Sequence, residues 1–150
     1  MVNRDFKDLF SALNAAEVRY LVVGAYAVTF HARPRFTQDL DVWIDPESAN
    51  AGRAWKALAA FGAPMRDVSA ADLSQPGLVV QIGVAPNRID ILTQIEGVEF
   101  AAAWERRSVG TYGVCPIHVL SRADLIANKR LLGRPQDLLD VQALEEAQRK

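Results

Sequence analysis

The stretch Thr37-Gln38-Asp39-Leu40-Asp41-Val42-Trp43-Ile44 is the part of the chain on which the fold turns. From Leu40 to Ile44 it has the length, apolar content and β-branched residues of a short strand, and Asp45-Pro46-Glu47 closes it. Residues i and i+2 of a strand share a face, so Asp39 and Asp41 project together. Two like charges that close raise each other's pKa unless a cation lies between them. Clustered carboxylate oxygens are what a hard divalent ion such as Mg²⁺ prefers. A solvated strand face is the structural alternative for this pair.

Upstream, Phe6, Leu9, Phe10 and Leu13 make the apolar stripe of a first helix, with Asn3 as N-cap. Tyr20-Leu21-Val22-Val23 then reads as a buried strand ended by Gly24, and a helix should run from Ala25 to about Ala32, before Pro34. A glycine between strand and helix lets backbone approach a phosphate closely, although tight turns use glycine as well.

Downstream, Asp45 as N-cap and Pro46 at the first helical position predict a helix through Ala51, Ala54, Trp55, Leu58 and Phe61, stopped by Gly62. Ser69 to Asp72 has capping-box form but opens only a short segment. Leu78–Ile82 and Arg88–Leu92 read as a hairpin turned at Ala85-Pro86-Asn87. The second of these strands brings a third acid, Asp90, between Ile89 and Ile91. A helix near Phe100 to Arg106, β-like stretches near Ser108–Tyr112 and Cys115–Leu120, a capped helix from Ser121 to about Leu132, and a last helix from Pro135 to about Gln148 complete the chain. Three acids on one strand face can hold two metal ions about 3.5–4 Å apart, the arrangement used in phosphoryl displacement.

The bulk numbers agree with a single mixed α/β domain over residues 1–150. Net charge is −1, which gives no basic surplus for duplex nucleic acid. Cys115 stands alone, so a disulfide or cysteine zinc site within the chain is excluded, and neither His31 nor His118 has metal-ligand spacing. No Walker loop and no G-x-G-x-x-G is present. The polar amino terminus and the lack of a long apolar run lead to the expectation of a cytoplasmic protein without membrane contact.

Taken together, Val22-Val23-Gly24-Ala25, the Asp39-Leu40-Asp41-Val42 strand and Arg88-Ile89-Asp90-Ile91 resemble the nucleotidyltransferase superfamily that includes DNA polymerase beta. Thr37-Gln38-Asp39-Leu40-Asp41-Val42 looks like the T-x-D-[LI]-D form of minimal bacterial members. Asn128-Lys129-Arg130, Arg134-Pro135-Gln136-Asp137 and Leu138-Leu139-Asp140 are similar to the closing motif of the toxin-associated, AbiEii-like group. The resemblance implies a mixed sheet flanked by helices with a C-terminal helical pair. It implies Mg²⁺, as one or two ions with Mn²⁺ as a substitute, on Asp39, Asp41 and Asp90. These three would be the catalytic set, with Asp90 also helping to activate an acceptor hydroxyl. Gly24, Ala25 and Lys129 would bind nucleotide. Ala25 departs from the usual Gly or Ser, and Gln136 stands where Lys or Arg is frequent.

The implied activity is transfer of a nucleoside monophosphate from a nucleoside triphosphate to a hydroxyl of RNA, protein or a small molecule. The alternative is a non-catalytic module of the same fold that binds a protein, as in a toxin–antitoxin pair; a homodimer that completes the cleft is a further expectation. For Lys129 a solvated helix position is the bland alternative, and Asp137 and Asp140 read as acids favoured by a helix N-terminus. Arg33 and Arg35 flank the loop before Asp39 as candidate phosphate-steering groups. Trp43, Trp55 and Trp104 read as packing residues, as do Tyr26 and His31.

Overall fold

In the computed structural model, residues 3–34, 38–83 and 87–148 are described. The first helix, α1, runs Arg4–Ala15 with Asn3 Oδ1 accepting from the Asp5 and Phe6 amides, and its buried residues are Phe6, Leu9, Phe10 and Leu13. Strand β1 (Tyr20–Val23) is buried throughout and passes at Gly24 directly into α2 (Gly24–His31). Strand β2 spans Asp39–Ile44, one residue earlier than its apolar run suggests, because Asp39 pairs with Arg88.

The helix after β2, α3, spans Ser48–Phe61 and is capped by Glu47, not by Asp45. Glu47 accepts from the Ala49 and Asn50 amides through its side chain, whereas Asp45 Oδ1 accepts from the Glu47 amide in the preceding turn. Asp45-Pro46 therefore shapes the approach to the helix and stands outside it. Asn50, fully buried, ties this helix to the sheet: Oδ1 accepts from the Arg19 amide at 2.7 Å, and Nδ2 donates to the Arg19 and Asp45 carbonyls at 3.1 and 2.8 Å. The Ser69–Asp72 capping box forms reciprocally and opens one 3₁₀ turn at Asp72–Ser74.

Strands β3 (Val79–Ile82) and β4 (Arg88–Leu92) pair antiparallel, as the expected hairpin requires; Ala85 and Pro86 of its turn lie outside the described residues. Helix α4 (Phe100–Glu105), strands β5 (Ser108–Tyr112) and β6 (Cys115–Val119), and helices α5 (Arg122–Leu132) and α6 (Pro135–Gln148) follow. The six strands form one mixed sheet in the order β3-β4-β2-β1-β6-β5, with β2 parallel to β4 and β1 parallel to β6.

The pleat sorts the two faces. Leu40, Val42 and Ile44 share a face with Tyr20, whose ring stacks on Phe10 of α1 and whose hydroxyl donates to Asn14. Asp39, Asp41 and Trp43 share the other face, where Trp43 meets Phe100 of α4 edge-on. One face is thus closed by apolar packing against α1. The other is apolar at one end and acidic at the other. Trp43 is buried, and Trp55 and Trp104 are half-buried packing residues. No helix among the described residues is long and apolar enough to cross a membrane.

Candidate functional site

Parallel pairing of β2 and β4 sets the acids side by side. Asp39 lies opposite Arg88, and Asp41 lies opposite Asp90. The three sequence-predicted acids therefore share one face on adjacent strands. Burial pushes the Asp41 carboxyl up to about 6, with the charges of Asp90 and Asp39 and a side-chain hydrogen bond to Asp90 adding to the effect.

Gly24 faces this group from β1. Its φ is +67°, a left-handed conformation costly for other residues, and a Cβ there would run into Asp41 Oδ2. Val23, its neighbour, pairs with Asp41 across the β1–β2 ladder. The glycine between strand and helix thus serves two needs, the turn into α2 and room for the carboxylate. Ala25 follows in the first turn of α2, buried.

A cleft of about 900 Å³ opens in front of these residues, lined by Gly24, Ala25, Asp39, Asp41, Lys129 and Arg134 among others. Its far wall is the α5–α6 pair. Lys129 reaches that wall but is no solvated lysine: its side chain is 7% exposed, with Nζ 3.3 Å from Asp137 Oδ1 and 3.1 Å from Asp140 Oδ2. Asp137 also accepts from Arg134 Nε at 2.6 Å and Nη2 at 3.2 Å, and Arg134 before all else holds its carboxyl below the usual range. Gln136 Nε2 donates to Asp140 Oδ1. The acids read as helix N-terminal residues are thus anchors of a buried ion network. Arg134, 69% exposed, lines the cleft as the more accessible of the network's two cations.

Arg88 was not singled out by the sequence reading. Its Nη2 lies 3.3 Å from Asp39 Oδ2 and its Nε 3.4 Å from Asp90 Oδ1, so a guanidinium stands between two of the three acids. The available signal was its spacing: two residues before Asp90 on one strand, it must share Asp90's face. Arg33 is exposed; Arg35 and Thr37 lie outside the described residues. His31 bonds the Leu120 carbonyl through Nε2 at 2.7 Å, and Tyr26 packs edge-on to Phe6, so both are structural.

Among the described residues, no set of three His, Cys, Asp or Glu side chains is gathered to hold a metal ion. The donor set nevertheless suits one. Asp90 Oδ1 is buried without a hydrogen-bond partner, Asp41 is crowded by like charge, and all the candidate donors are hard oxygens.

No protein-family model and no curated sequence matches the chain. Solved structures do. A candidate nucleotidyltransferase from Thermotoga maritima superposes with a TM-score of 0.62 at 15% identity, covering 95% of this chain and 93% of that one. The lincosamide antibiotic adenylyltransferase LnuA with lincomycin bound gives 0.59 at 15% identity, over 97% and 98% of the two chains. ANT(2")-Ia in complex with adenylyl-2"-tobramycin gives 0.57 at 13% identity, over 95% and 84%. The mixed six-stranded sheet with its C-terminal helical pair is the nucleotidyltransferase fold.

Proposed function

We propose that this protein is a Mg²⁺-dependent nucleotidyltransferase that moves a nucleoside monophosphate from a nucleoside triphosphate to an acceptor hydroxyl. The observation that carries the reading is Asp41, set against Gly24 in the lining of a cleft of about 900 Å³ and in register with Asp90 on the next strand. Asp39, Asp41 and Asp90 would hold the metal. When bound, such an ion neutralises charge on the phosphoryl oxygens and on the departing pyrophosphate.

The chain's own residues do the rest. Gly24 presents backbone without a Cβ, and the first amides of α2 are free donors for phosphate oxygens. Arg134 supplies a positive charge from the opposite wall, a task that Lys129, already held by two carboxylates, performs less directly. Asp90 takes up the proton of the acceptor hydroxyl. Positioning and charge account for most of this chemistry, so few groups are needed. A cleft near 900 Å³ is of the size of small-molecule sites, which favours a small hydroxyl-bearing acceptor, in keeping with the antibiotic acceptors of the structural neighbours.

The test is thermal unfolding with ATP, GTP, CTP or UTP, with and without Mg²⁺. A Mg²⁺-dependent rise in Tm with at least one nucleotide, lost in Asp39→Asn/Asp41→Asn, is the expected result. No rise with any nucleotide would leave the reading without support. The second reading, a partner-binding module, draws on one observation: Leu131, Leu138 and Leu139 on α5 and α6 are each more than half exposed.

A further inference from the structure

Resting on the metal-site reading above, we propose that Arg88 is the resident counter-cation of the acid group, and that a divalent ion binds there by displacing it. Asp39, Asp41 and Asp90 share one face of β2 and β4, and the guanidinium of Arg88 bridges Asp39 and Asp90 at 3.3 and 3.4 Å. Register makes this contact unavoidable: Arg88 pairs with Asp39 across the ladder and precedes Asp90 by two residues on its own strand. Lys129 lowers the Asp41 pKa only as the smallest of the influences felt there, and its ammonium is held by Asp137 and Asp140, while Arg134, the other cation near Asp41 among the described residues, is bound to Asp137.

The bridge is held by charge more than by hydrogen-bond alignment. Arg88 Nε and Asp90 Oδ1 are both buried and neither makes a hydrogen bond, although they face each other as an ion pair. A guanidinium offers planar, forked donors; here one branch reaches Asp39 in hydrogen-bond geometry and the other does not. The Arg88 side chain is 39% exposed, so it has a path to solvent once a better ligand for the acids arrives. A divalent ion is that ligand, with twice the charge and direct oxygen ligation.

Two opposite effects therefore follow from removing the arginine. Without metal, Asp39 and Asp90 lose the Arg88 guanidinium and the fold weakens. With metal, the competitor is gone and the ion binds more tightly. A merely structural arginine predicts loss in both conditions.

The experiment measures free Mn²⁺ by electron paramagnetic resonance, and Tm with and without Mn²⁺, for wild type, Arg88→Met and Arg88→Lys. Methionine keeps an apolar stem without charge; lysine keeps the charge without the fork. The expected result is Mn²⁺ affinity about tenfold tighter in Arg88→Met than in wild type, since one unit of repulsion at contact distance is removed. Arg88→Lys should fall between the two. The metal-free Tm should drop in Arg88→Met while its Mn²⁺-induced rise exceeds that of wild type. Mn²⁺ affinity equal to or below wild type in a folded Arg88→Met or Arg88→Lys overturns the proposal and leaves the metal site standing. Absence of Mn²⁺ binding by all three proteins overturns the proposal together with the functional reading beneath it.

Discussion

Asp41 carries the tension of the site. Its carboxyl has a folded pKa near 6 against an ordinary value of 3.8, raised first by burial and then by its acidic neighbours. A raised carboxyl pKa means that the folded state prefers the protonated form. The associated stability is fully present below about pH 4 and is lost as pH rises through 6. In chelator at pH 8, Asp41→Asn should therefore be more stable than wild type, by about 1–2 kcal/mol after allowance for solvent screening. The difference should vanish near pH 4. Urea unfolding at the two pH values measures it, and a variant less stable than wild type at pH 8 would contradict the argument. Saturating Mg²⁺ should reverse the order, because only wild type keeps its full set of ligands.

Much at this scale was legible beforehand. The alternation Asp39-Leu40-Asp41 fixes a shared face whatever the tertiary structure, and Asp90 between two isoleucines follows the same rule. Arg88 stands in the same four residues, Arg88-Ile89-Asp90-Ile91. Its role was not legible, because which strand lies beside β4, and in which register, is decided by long-range packing. Asn50 was missed for the same reason: apart from Arg53, its partners are carbonyls and an amide on segments that precede its helix.

At the scale of elements, the α5–α6 pair is held by a polar core. Lys129 is buried between Asp137 and Asp140, with Arg134 and Gln136 completing their coordination. Removing the ammonium leaves two buried carboxylates facing each other. Lys129→Met should cost about 3–5 kcal/mol, read by urea unfolding. The loss should be as large without nucleotide as with it; a variant of wild-type stability would return Lys129 to the role of a nucleotide ligand. The helix boundaries here were readable from Ser121, Gly133 and Pro135, and Gly133 does end α5 in a left-handed conformation. The pairing of the helices was not, since an i to i+8 contact between Lys129 and Asp137 depends on the turn between them. At α3 the local signal misled. Asp45-Pro46 has the form of a helix start, but Glu47 two residues later captures the free amides.

For the whole molecule, both faces of one sheet draw on a continuous set of buried residues from Phe6 to Leu144. Such a core should unfold as a unit. Urea denaturation followed by far-ultraviolet circular dichroism and by tryptophan fluorescence should give coincident single transitions, with a slope of about 2 kcal/mol/M for a chain of this size. Separate transitions would show that the C-terminal helices melt independently. The fold class was visible in the sequence because strand-like and helix-like runs alternate. The strand order was not, since nothing local says that the first strand ends up between the second and the last.

That order has a consequence for the newborn chain. Val22 of β1 pairs with Val119 of β6, so β1 is made well before its second neighbour in the sheet. The acid-bearing strands β2 and β4 and their glycine partner are all translated before that closure. On the ribosome the half of the sheet that carries the chemistry can assemble first, while one apolar edge of β1 waits unpaired. The slow step in maturation is then the docking of β6, a non-local pairing with a high loop-closure cost, and it leaves a sticky intermediate for as long as it is pending.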